Sequence, residues 1–253
     1  ELIGAPLSVY FGMGVGGTFC IGKQWELSLG VNFRHFSNAA LDRPNKGSNT
    51  VGVSLGVSRT LSVPSSSESQ ASSCRTLSLF HRHLYVDLSV GWMGHTLMDE
   101  WFYSLYSPSD DPRHRTRHFR VYSALDVSAS AMYRYALRFA SGIGLDYGYL
   151  PYVDEVAAYD RMNHTETRYS RHSLGLSLKH EVFYKQLSLY LGVGYYLYRH
   201  TGHLSHEFEK PYYETIGLRY TLPFGNDTFY VGYHVKAHLL RADGMEFNVG
   251  LRL

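Results

Sequence analysis

The chain has 253 residues, 18% of them charged, and a formal net charge of +2, too small to point to a nucleic-acid partner. No window approaches the roughly 18 to 20 consecutive apolar residues that a membrane helix needs, which excludes a helical membrane protein and leaves a β-barrel open, since barrel strands alternate and keep mean hydropathy low. The 24 Gly, 22 Tyr and 13 Phe favour pleated, half-buried surfaces, and 253 residues fit one all-β domain.

The chain starts at Glu1 without Met or signal peptide and reads as mature or truncated. Period-two alternation then predicts about eleven strands, near residues 6–20, 25–37, 49–61, 77–93, 118–135, 137–150, 171–184, 186–199, 212–222, 227–240 and 245–253. In each, one parity is apolar and the other carries Gly, Ser and charge. Trp25, Leu27, Leu29, Val31 and Phe33 oppose Glu26, Ser28, Gly30, Asn32 and Arg34; Phe229, Val231, Tyr233 and Val235 oppose Tyr230, Gly232, His234 and Lys236. A parity flip between Leu79 and Leu84 suggests a bulge near His81.

A soluble sandwich would alternate too, so the links decide. Short ones at 22–24, 135–137, 184–186 and 224–227 take turns with long ones at 38–48, 94–117, 151–170 and 200–211, as periplasmic turns and external loops do in outer-membrane barrels. The Ser-rich stretch 62–74 reads as an overlong turn and 241–244 as a short external one. The fold class is therefore all-β: an antiparallel transmembrane outer-membrane β-barrel forming a single domain over 1–253. Bacterial single-chain barrels have even strand numbers, so eleven visible strands imply an N-terminally incomplete barrel of twelve or more. Cys20 and Cys74 would lie near the periplasmic rim, either bridged or as separate thiols.

His35 and Ser37 continue the apolar parity of their strand, and Asn49 shares the parity of Val51, Val53 and Leu55 on the next. The three polar side chains thus share one lipid-facing wall at the external ends of a hairpin. A spacing of two on one face sets His35 and Ser37 roughly 6 to 7 Å apart at the backbone. An ester hydrolase needs a nucleophilic hydroxyl, an imidazole to take its proton and a third group to orient the ring; Ser37, His35 and Asn49 could fill those roles. Asn38, or the backbone N–H groups of 38–40, Ala40 included, could stabilise the oxyanion. Polar residues are also common where a barrel meets headgroups, so spacing alone leaves a non-catalytic channel or structural barrel open.

The string His35-Phe36-Ser37-Asn38-Ala39, followed by Pro44-Asn45-Lys46-Gly47-Ser48-Asn49, resembles the signature of lipid A 3-O-deacylases of the PagL type, outer-membrane barrels that remove an ester-linked acyl chain from lipopolysaccharide. The match covers about residues 25–61; stretches near 125–148, 174–198 and 213–247 resemble the longer relatives labelled acyloxyacyl hydrolases. The resemblance implies a cofactor-free serine esterase in the outer membrane of a Gram-negative bacterium, with lipid A as partner, His35 as base and Ser37 as nucleophile. The family's Glu, fourteen positions after the His, is Asn49 here; Asp42 is an alternative acid. Outer-membrane phospholipase A resembles the same pattern with Asn at that place, and would imply calcium and a homodimer. The chain lacks a Ser/Arg-rich stretch between Asn38 and Asn49, which ranks that reading second.

Among other candidates, Arg113, Arg115 and Arg117 in a long loop could contact lipid A phosphates. His200, His203 and His206 could hold a metal, although nothing fixes their geometry. Asp87, Asp126, Asp146, Arg134, Arg219 and Arg252 have lumen parity and predict a plugging salt-bridge network.

Overall fold

A computed structural model describes residues 8–21, 24–44, 47–61, 80–226, 228–239 and 241–253. Eleven strands alternate with three short helices: β1 (Val9–Ile21), β2 (Trp25–Ser37), β3 (Ser48–Arg59), β4 (His83–Thr96), α1 (Met98–Tyr106), β5 (Val121–Ala136), β6 (Phe139–Tyr149), α2 (Val153–Met162), β7 (His172–Tyr184), β8 (Leu187–Tyr198), α3 (His203–Phe208), β9 (Tyr212–Thr221), β10 (Phe229–His238) and β11 (Arg241–Arg252). The stretch 62–79, the turn at 22–23 and Cys74 lie outside the described residues; Cys20 is exposed on β1. The fourth strand begins at His83, so His81 precedes it and is not a bulge within it.

The strands do not form one barrel of eleven or more. β4 to β11 close an eight-stranded antiparallel barrel, with β11 returning to pair with β4, from Arg252 opposite Asp87 to Met245 opposite Gly94. β1–β2–β3 form a separate three-stranded sheet. The parity argument for a strand missing from the barrel therefore falls away. Eight strands leave an interior just wide enough for side chains to fill, and here charged pairs fill it. Arg219, almost fully buried, reaches Asp87 at 3.1 Å and Glu181 at 3.6 Å; Arg252 bonds Glu181 at 2.7 Å. Lys179 meets Asp146 at 2.8 Å, and Lys236 meets Asp126 at 3.2 Å. Arg134 donates to the Leu137 carbonyl and lies over the Phe183 ring. The guanidinium of Arg219 is sandwiched by Tyr190 and Tyr230, 3.8 and 4.5 Å from the ring centres. Outside, Leu84, Val90, Trp92, Leu176, Leu178 and Val193 are exposed, the apolar-out pattern expected from the alternation.

The two rims differ because their turns do. Lys185 and Asn226 take positive φ (57° and 53°) in the β7–β8 and β9–β10 turns, conformations that tight reversals require. The opposite rim carries α1, α2 and α3, which the sequence left inside long links. Acidic Asp99 and Glu100, and Asp154 and Glu155, occupy first helical turns, where they complement the helix dipole. Val153, Val156 and Ala157 turn one face of α2 inward. Val153 and Val156 pack with Met93, Leu97, Tyr122 and Tyr159 into an apolar cap over that rim.

Candidate active site

Antiparallel pairing of β2 with β3 sets His35 directly opposite Asn49. Their side chains meet, His35 Nδ1 lying 2.6 Å from Asn49 Oδ1. An amide oxygen only accepts, so Nδ1 carries the proton, and a neutral imidazole then leaves its lone pair on Nε2. That is the tautomer a general base needs. Asp42 does not take this place: its Oδ1 accepts the Arg43 N–H at 2.8 Å.

Ser37 ends β2 on the parity of His35, but it is 3% exposed rather than open on an outer wall. The site stands on the three-stranded sheet, not on the wall of the closed barrel. Loop 38–44 buries the serine because it folds back and docks on the barrel's helix-bearing rim. Ala39 and Ala40 both adopt left-handed φ, 51° and 61°, and are fully buried. Such a conformation costs roughly 1–2 kcal/mol per non-glycine residue and persists only where surroundings enforce it. Enforcement comes from Thr96 at the end of β4, whose N–H and hydroxyl donate to the Ala40 carbonyl at 2.7 and 2.8 Å, and from Arg43, whose Nη2 donates to the Thr96 carbonyl at 2.5 Å. Burial lowers the proton affinity of the Arg43 guanidinium, and the Asp243 and Asp99 carboxylates oppose that.

The expected oxyanion donors are engaged with the loop itself. Ala40 N–H donates to Asn38 Oδ1 at 3.1 Å, and Asn38 Nδ2 donates to the Asp42 carbonyl at 2.9 Å. The N–H beside the hydroxyl belongs to Ala39, 3.4 Å from Ser37 Oγ. Gly47, at φ +65°, returns the chain against the site: a Cβ there would lie 3.2 Å from His35 Cε1 and 3.9 Å from Ser37 Cβ. Thr96 and Arg43 escaped sequence reasoning. Thr96 lies 56 residues beyond its partner Ala40 and carries no local signal.

Arg113, Arg115 and Arg117 are not brought to the serine; no hydrogen bond or ion pair among the described residues links them to His35, Ser37 or Asn49. Arg113 turns onto Asp111 at 3.2 Å and onto the Tyr103 ring at 4.3 Å, and together with the Tyr103 hydroxyl it pulls the Asp111 carboxyl down to about 2. Arg115 and Arg117 are exposed. Of the histidines proposed as ligands, His200 packs on Tyr198 and the His203 N–H caps Asp160. Metal-ligand types converge instead at Glu209, His238 and Asp243.

Two family models match the chain: one described as acyloxyacyl hydrolase, C-terminal domain, over residues 75–253, and one described as lipid A 3-O-deacylase (PagL) over residues 4–58. No curated protein matches. Similar solved structures include a CymD monoaromatic hydrocarbon channel, at 10% identity and TM-score 0.26 over 97% of this chain and 72% of that one. CdiB from Acinetobacter baumannii is similar at 12% identity and TM-score 0.25, over 97% of this chain and 51% of that one.

Proposed function

Because the chain belongs to the acyloxyacyl hydrolase family, with a lipid A 3-O-deacylase segment at residues 4–58, we propose that it is an outer-membrane serine esterase that removes an ester-linked acyl chain from lipid A. The observation that carries the reading is the 2.6 Å contact between His35 Nδ1 and Asn49 Oδ1. It supports the tautomer that leaves a lone pair on Nε2; in the proposed step that nitrogen takes the Ser37 proton as the Ser37 oxygen attacks the ester carbonyl. The acyl chain is held on Ser37 as an ester while His35 returns the proton to the departing sugar oxygen; water, activated by the same imidazole, releases the fatty acid.

The apolar outer wall of the barrel and the exposed Val15, Val51, Val53 and Leu55 of the sheet support a position within a lipid layer, from which the substrate reaches the serine laterally. Mass spectrometry of lipid A from cells expressing the wild type should show loss of one acyl chain, and Ser37→Ala should restore the full set; unchanged acylation with the wild type would sink the proposal. The pairing of His35 with an amide also favours a second reading, a phospholipid esterase. Fatty-acid release from phospholipid micelles that stops on chelating calcium, with lipid A left intact, would select it.

A further inference from the structure

The long-loop rim encloses a polar well of about 130 Å³ directly behind Thr96, the residue that seats the catalytic loop. Three chain segments deliver ligand-type atoms to it: His238 at the end of β10, Asp243 near the start of β11 and Glu209 just after α3. Their ligand atoms all lie within 4.8 Å of one another. His238 Nδ1 stands 3.8 Å from Asp243 Oδ2 and 4.0 Å from Glu209 Oε2, too far for hydrogen bonds. The gaps are wider than the roughly 3.4 Å that separates two ligands of one tetrahedral ion with bonds of about 2.1 Å, so an ion would draw these side chains inward by about half an ångström.

We propose that His238, Asp243 and Glu209 bind one divalent transition-metal cation, zinc being the best match, which ties the barrel mouth together behind the catalytic loop. The far nitrogen of His238 is already held, Nε2 lying 3.1 Å from the Tyr196 hydroxyl. Ligating histidines are oriented in this way through the ring nitrogen that does not bind the metal.

His95 supplies the independent sign. It is 4% exposed and lines the same well, and its Nδ1 faces the other oxygen of Asp243, Oδ1, at 3.8 Å, while its Nε2 has no hydrogen-bond partner. A buried imidazole left in this condition calls for an ion or a water. Asp243 thus points one oxygen at each of two imidazoles. Imidazole with carboxylate suits zinc and its neighbours, whereas calcium wants oxygen ligands throughout. Arg199 bonds the Glu209 oxygen that faces His238, at 2.5 Å, so Glu209 is the weakest ligand of the set, and His238 and Asp243 carry the site.

The site does not depend on the esterase reading, and its test needs no activity. Purified, detergent-folded full chain, stripped with a chelator, is titrated with zinc by calorimetry and followed by thermal melting. One ion per chain and a raised Tm are expected, with calcium at equal concentration giving neither. His238→Gln and Asp243→Asn should each weaken zinc at least about tenfold, and Glu209→Gln less. Heat-dependent gel mobility reports whether each variant folds, and His238→Asn serves if His238→Gln does not fold. No saturable zinc uptake by the wild type, or uptake unchanged in folded His238→Gln, overturns the proposal.

Discussion

At the scale of the residue, the site turns on what Asn49 does for His35. The amide accepts from Nδ1 at 2.6 Å and so holds the ring in register, yet in the proposed esterase an amide, lacking negative charge, would stabilise a developing imidazolium less than a carboxylate. Asn49→Asp keeps the acceptor and adds charge. It should match or exceed the wild type in kcat, while Asn49→Leu should lower kcat by less than the roughly 10⁴-fold that losing an orienting carboxylate costs. Kinetics of purified enzyme on lipid A micelles check both, and a wild-type rate for Asn49→Leu would remove Asn49 from the mechanism. Gly47 is the second test. Its φ is positive, and a methyl group there would stand only 3.2 Å from His35 Cε1. Gly47→Ala strains this left-handed backbone and presses the imidazole by a few tenths of an ångström, so kcat should fall with the barrel's melting unchanged. The His35–Asn49 pair was legible in the sequence because each residue continues the apolar parity of its own strand, and the two strands pair as a hairpin. The burial of Ser37 was not, because the cover is a loop anchored by Thr96, which no periodicity connects to it.

At the scale of the element, most strands were legible to within about three residues, whereas β4 begins six residues later and β11 four residues earlier than the alternation predicts, β11 taking in the stretch 241–244 read as a turn; the helices were not legible. The 25–37 prediction coincides with β2, and β7 and β8 begin within a residue of expectation, since alternation survives wherever one strand face meets an interior and the other does not. Helix α1 spans only nine residues inside a 24-residue link, too short for a periodicity to stand out. The long links also hid what α1 contributes to stability. Burial pushes the Asp99 carboxyl up to about 7 from its ordinary 3.8. A carboxyl raised in the fold binds its proton more tightly there than in the unfolded chain, so stability is greatest below about 4 and falls as pH rises toward 7, by at most about 1.4 kcal/mol per pH unit. Thermal melting of Asp99→Asn should lose that decline and exceed the wild type above pH 7. An identical pH profile for the two proteins would show that water reaches the carboxyl.

At the scale of the whole molecule, alternation told which side chains face inward but not which strands close on each other. Register within hairpins is local, whereas the return of β11 to β4 joins residues 87 and 252 and depends on how many strands the interior side chains can fill. This closure separates two jobs. The charged network around Arg219 stabilises the barrel from within, and the esterase candidates stand on a sheet that meets the barrel through Ala40, Thr96 and Arg43. Arg219→Met leaves Asp87 and Glu181 buried with fewer partners. Breaking a buried pair in this way costs about 3–5 kcal/mol, eased here because Tyr230 still donates to Asp87 and Arg252 to Glu181. Urea titration of detergent-folded protein should therefore show a lower midpoint for Arg219→Met, with turnover per folded molecule unchanged. Arg43→Met should do the reverse: the barrel keeps its midpoint, but the loop loses its hold on the Thr96 carbonyl, the left-handed Ala39 and Ala40 relax, and kcat falls. Equal effects of both substitutions on both measurements would mean that sheet and barrel act as one cooperative unit.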